Sequence, residues 1–293
     1  RNTYQRNKAQ ARMDYQFGPE DNLVAGYTHE TLDNDDPAAA DAASYGPFIK
    51  MNYWFNKKNG LEMGYQFLQY EFDTQNDSPS YDDHRTHKAD LSFIHRFNSK
   101  LRADIHYGLT ENDFRPASER DYHVYQGDMG IQYDFSPHAS LELRGGYYRY
   151  SYDHAEKFLG AVILRKEIER GRLFLEWRQD WDEDYLDLET RGFTRYWHTR
   201  GGIQYTLRKN LEANLDISYR KNSYLSAGRP DDEIYRGQCG LAWKFRRWYT
   251  VGLNYTYHDR GSSDPQREYE NNNVMLSFSI ARPFYPKLRP KEN

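Results

Sequence analysis

The chain has 293 residues, with 40 Lys and Arg against 44 Asp and Glu, a formal net charge of −4. So balanced a charge gives no reason to expect nucleic acid as a partner. A mean hydropathy of −1.06 would suit a solvated chain, but 27 Tyr, 15 Phe and 6 Trp need ordered structure to hold them. No run approaches the roughly 18 apolar residues of a membrane helix, whereas a β-barrel, apolar only at every second position, fits. Cys239 is the only cysteine, which removes intrachain disulfides, CxxC metal sites and CxxCH haem attachment. Arg1 opens the chain without an apolar leader, and a processed chain whose export signal has been removed is expected.

From the N-terminus, segment 7–17 runs into a short break at Gly18–Asn22, and similar breaks follow at Lys57–Gly60, Asn98–Lys100 and Ser136–His138. A tighter hairpin surrounds 155–170 and ends at Glu169–Gly171; the last short breaks are Arg208–Asn210 and Arg246–Arg247. Between them lie polar stretches rich in Asp, Asn, Ser and Pro at 33–46, 75–84, 114–121, 152–157, 184–191, 224–232 and 260–268. The segments in between alternate. Leu101, Ala103, Ile105, Tyr107 and Leu109 oppose Arg102, Asp104, His106, Gly108 and Thr110. The same holds for Leu211–Tyr219 against Glu212–Arg220, and for Tyr249–Tyr257 against Thr250–His258. A two-residue period without any sustained 3.6 period makes this an all-β chain. Short turns on one side and longer loops on the other are the layout of a transmembrane antiparallel up-and-down β-barrel. The short breaks recur about every 40 residues, which also fits a soluble β-propeller of four short strands per repeat; here each repeat holds two long ones.

The apolar face should meet lipid. Phe17, Phe55, Phe97, Phe135, Phe245, Trp248 and Phe284 flank the short turns and form one aromatic girdle. Tyr27, Tyr65, Tyr107, Tyr125, Tyr147, Trp181, Trp197 and Tyr257 form a second row further along the strands. A soluble sandwich core would instead place aromatics mid-strand. The opposite face should line a lumen through Arg12, Lys50, Lys88, Asp90, Arg102, Asp104, Asp128, Glu142, Arg144, Glu176, Arg178, Glu212, Asp216, Arg220, Arg236 and Lys244, together with tyrosines such as Tyr148. So many charges could not enter a dry core unpaired. Their mixed signs predict weak ion selectivity.

The C-terminal third, from Tyr235-Arg-Gly-Gln-Cys-Gly-Leu-Ala-Trp to Asn273-Val-Met-Leu-Ser-Phe-Ser-Ile-Ala-Arg-Pro-Phe284, resembles the outer-membrane β-barrel porin 2 family. The resemblance implies a barrel over 1–284 in the bacterial outer membrane, among lipid and lipopolysaccharide, with a periplasmic tail at 285–293. Barrels of this kind commonly end in an aromatic residue read by the assembly machinery; Phe284 fits, although Tyr285–Asn293 follow it. Some family members sit beside exopolysaccharide export genes, which implies an export component as partner. The Tyr-rich hairpins are also similar to barrel sleeves that hold periplasmic multihaem cytochromes. No cofactor of the chain's own is implied.

There is no HExxH, no GxSxG and no Gly-rich phosphate loop, so no enzyme activity is expected. His84, His87 and His95 share one strand region and read as loop or girdle residues. The acidic clusters Asp33–Asp36 and Asp180–Asp187 read as solvated loop, with Ca²⁺ as the functional alternative. Fifteen strand-like segments would leave the first and last running the same way, whereas single-chain bacterial barrels have even strand numbers. The expected barrel therefore has about sixteen strands, the extra one upstream of Arg1, or fourteen if 155–170 is miscounted.

Overall fold

The computed structural model describes residues 4–34, 41–73, 83–115, 121–151, 156–186, 192–224, 230–246, 248–265 and 267–280. Fifteen strands follow in chain order: β1 (Tyr4–Gln16), β2 (Asn22–Asn34), β3 (Asp41–Trp54), β4 (Asn59–Asp73), β5 (His84–Arg96), β6 (Leu101–Phe114), β7 (Tyr122–Ser136) and β8 (Ala139–Tyr150). Then come β9 (Glu156–Ile168), β10 (Gly171–Asp184), β11 (Gly192–Arg208), β12 (Leu211–Tyr224), β13 (Asp232–Phe245), β14 (Tyr249–Ser262) and β15 (Tyr269–Ile280). Each pairs antiparallel with its neighbours in sequence order, in one 15-stranded sheet. A meander of this kind contains no four-stranded blades, which overturns the propeller alternative.

Both β9 and β10 are present, joined by a two-residue turn, so the fourteen-strand alternative fails. The break at 33–46 is shorter than expected: β2 reaches Asn34 and β3 begins at Asp41. Among the described residues β1 pairs only with β2, and β15 only with β14. These two strands run the same way, so a direct β1–β15 pairing would be parallel. Phe284 and the 285–293 tail lie outside the described residues.

The register carries each face across the sheet, because residues paired across a ladder point the same way. One such row runs Tyr15, Leu23, Met51, Met63, Leu91, Tyr107, Gly127, Tyr147 and Phe158. Another runs Tyr205, Ala213, Leu241, Leu253 and Leu276. Leu91, Tyr107, Tyr147, Leu241, Leu253 and Leu276 are all exposed, Leu276 by 75%. A continuous apolar face of this size is unsuited to water and fits hydrocarbon.

Charged residues occupy the other face, and it is concave. On it, side chains of non-neighbouring strands touch. Arg96 at the end of β5 reaches Glu20 in the β1–β2 turn at 2.5 Å, lying 3.6 Å over the Trp54 ring on β3. Gly146 marks close packing there, since a Cβ would stand 2.2 Å from the Gly127 carbonyl oxygen.

Candidate functional site

The register puts all sixteen expected lumen residues on the concave face, but in different surroundings. Arg12, Lys50, Arg102, Arg236 and Lys244 are exposed. Lys88, Asp104, Glu142, Arg144, Glu176, Arg178, Glu212, Asp216 and Arg220 are half-buried. Asp90, its side chain 60% exposed, lies 3.5 Å from His106. Asp128 is buried. It accepts hydrogen bonds from His106 and Gln126 at 2.8 and 2.9 Å and pairs with Arg144, whose other arm lies 2.9 Å from Asp104. Alternation alone cannot separate such a buried network from a wetted wall, because both satisfy the same parity.

On the opposite face Phe17, Phe55, Phe97 and Phe135 are exposed by 44–55% and Phe245 is half-buried; Trp248, in the β13–β14 turn, is half-buried too. Phe245 stacks on Tyr249 at 5.5 Å. Tyr27, Tyr65, Tyr107, Tyr125, Tyr147 and Trp197 are exposed on the same side, and Tyr257 is half-buried.

Trp181 breaks the second row. By alternation from Leu173, Leu175 and Trp177 it should face lipid; instead it stacks on Phe193 at 5.3 Å, packs on Tyr148, and donates its indole N–H to Gln126 at 3.0 Å. The cause is a split in the wall. The β9–β10 ladder ends at Gly160↔Gln179, whereas the β10–β11 ladder continues to Asp184↔Gly192. Beyond Gln179 the tip of β10 leaves β9, stays with β11 and turns into the lumen. Its formerly outward face then lands on the inner face of β4–β8. Gly192 opens β11 at φ +91°, a conformation other residues adopt only with strain.

An aromatic mass fills the outer mouth at this point. Tyr70, Phe72, Phe114, Tyr122, Val124, Tyr148, Tyr150, Leu159, Tyr185, Leu186 and Phe193 form a buried cluster with Leu32 and Ala42. His84 stacks within it on Tyr70 at 4.4 Å and on Phe114 at 4.7 Å, and lies 4.0 Å from Tyr185. It is therefore a core residue, not a loop or girdle histidine. Tyr148, expected to line water, is 2% exposed beneath the tip. Burial pushes the Tyr185 phenol well above its ordinary range, so it stays a hydrogen-bonding neutral group.

The acidic stretch from Asp180 is correspondingly not a solvated loop throughout. Glu183, its side chain 2% exposed, lies 3.3 Å from Lys88, accepts from Asn112 at 2.7 Å and from the Tyr122 hydroxyl, which also meets the Tyr185 hydroxyl. On the tip's other face Asp182 lies 3.5 Å from Arg220, and Arg220 rests 4.0 Å over Tyr196. Asp187 and Asp35–Asp36 lie outside the described residues. His87 and His95 stay apart, on Tyr65 and Asn59 respectively.

Comparisons with known proteins agree with this architecture. Residues 190–282 match the family model described as Putative beta-barrel porin 2. No curated protein matches the chain. Among solved structures it is similar to the copper transporter OprC, at 10% identity and a TM-score of 0.60, over 89% of this chain and 54% of that one. It is similar to the FrpB iron transporter from Neisseria meningitidis at 11% identity and a TM-score of 0.60, over 91% of this chain and 54% of that one. The ferric enterobactin receptor from Pseudomonas aeruginosa follows at 7% and 0.55, over 95% and 62%. The chain thus spans only about half to three-fifths of the length of these relatives. At such identities the likeness is one of fold. The chain has the antiparallel up-and-down β-barrel fold of the bacterial outer membrane, and residues 190–282 match a porin family model.

Proposed function

We propose that the chain forms the wall of a passive channel for polar solutes, with exopolysaccharide as the cargo class to test first. The observation that carries this reading is the single concave face holding nine basic and seven acidic of the expected lining residues, opposite a continuous apolar face. Water and polar solutes are stabilised against such a wall, while nearly balanced signs give no strong field for either ion. Transport of this kind needs no catalysis, and we read the chain as non-enzymatic. Its partners in this reading are outer-membrane lipid, lipopolysaccharide, the barrel assembly machinery and a periplasmic export component.

Reconstitution into planar bilayers should give conductance with weak ion selectivity. Vesicles carrying the protein should swell in oligosaccharide solutions up to a size limit. Strong selectivity would show that the inward register is wrong. A barrel that neither conducts nor passes sugars under any condition, the release variants below included, would end the channel reading.

A further inference from the structure

We propose that the tip of β10, Asp180–Leu186, is a releasable plug of the outer mouth, latched by Glu183 on Lys88. This rests on the channel reading, and three observations join in it. First, the tip has no backbone ladder on its β9 side beyond Gln179, so it can swing about the β11–β12 side without breaking strand pairing there. Second, the tip meets the opposite wall through side chains: Trp181 on Tyr148, beside Phe193 of β11, Tyr185 on Tyr70 and His84, and Glu183 on Lys88, Asn112 and Tyr122. Third, the contact is a buried carboxylate with one cationic partner among the described residues, in the middle of an aromatic mass.

That combination makes a switch rather than a weld. Aromatic faces give adhesion without direction, whereas a buried charge is tolerated only in the one position where Lys88 meets it. Removing either partner leaves the other charge stranded at a dry contact or removes the attraction, and the docked position loses its advantage. With the tip withdrawn, Tyr148 and Val124 would line the mouth and the lumen would be continuous from outside. The plug then decides which solutes pass, by size and by what can compete for the aromatic faces.

The test uses the full chain with Cys239→Ser, to remove the exposed native thiol, and Val124→Cys, a near-isosteric reporter at a position with no exposure in the cluster. A membrane-impermeant maleimide should label this parent slowly. Glu183→Gln should label roughly tenfold faster or more and conduct more. Lys88→Met is the independent second variant and should behave alike. The exchange Lys88→Glu with Glu183→Lys should restore slow labelling. Equal labelling of the parent and both single variants overturns the latch while leaving the channel reading intact. Faster labelling with unchanged conductance, in a parent that conducts, overturns the plug. Faster labelling without conductance in any variant upholds the release and ends the channel reading instead.

Discussion

The outer half of β4–β10 and the wall of β11–β14 obey the same alternation and reach opposite states. Over β4–β10 the inward positions near the mouth are Tyr70, His84, Phe114, Tyr122 and Tyr148, all buried. Over β11–β14 the inward positions along the strands are Arg200, Asp216, Arg236 and Lys244, which pair at the surface: Arg200 with Asp216 at 2.9 Å, Lys244 with Glu212 at 2.5 Å. One half packs rings into a dry core; along the other the charges pair in a solvated ladder, and only towards its mouth are they buried, as where Asp232 meets Arg260. Alternation assigns a face, but whether that face is wet depends on what the rest of the chain lays over it.

The largest effect should come from breaking the dry half. Phe114→Ala removes a ring that is 5% exposed and stacked on His84, and should cost about 3–5 kcal/mol in urea unfolding from lipid vesicles. A cost below about 1 kcal/mol would mean the cluster is not packed.

Next comes the lipid-facing side of the other half. Leu215→Arg should cost about 2–4 kcal/mol in the same assay, with Asn214→Arg, on the inward face, costing much less. Leu215 is 44% exposed on the apolar row, whereas Asn214 pairs across to Gly240 on the concave side. Equal costs for the two arginines would defeat the assignment of faces.

Smaller still should be the loss of a ladder charge. Asp216→Asn removes the partner of Arg200 at a half-exposed site, and should cost about 0–1 kcal/mol. A loss matching that of Phe114→Ala would erase the contrast between the halves.

The smallest effect belongs to the turn side. The hydrogen bond from Arg96 holds the exposed Glu20 carboxyl below its usual range. A carboxyl lowered in the folded state contributes stability above the unfolded glutamate range and loses it as pH falls through the lowered folded value. Glu20→Gln should therefore lower stability slightly at neutral pH, leave it unchanged below the lowered folded value, and so flatten the acid limb; a marked loss at neutral pH would assign Glu20 a larger part.

Residues read in isolation already carried much of this. Leu101–Thr110 and Leu211–Arg220 alternate because one side of each strand must meet hydrocarbon and the other must not, so strand positions, short turns and the two faces follow from local chemistry. Trp181 and Glu183 were not legible in the same way: on parity they belong to the lipid face with Trp177. Nothing local marks Gln179 as the last residue to pair with β9, and that end of a ladder is what turns the tip inward. A buried acid such as Glu183 and a core histidine such as His84 could be found only once Lys88, Asn112 and Tyr70, far away in sequence, had been brought beside them. Alternation is a property of neighbours along the chain and was settled there. The dry mouth, the latch and the split wall depend on which strand stops pairing and what it then touches, and that was decided by the tertiary structure.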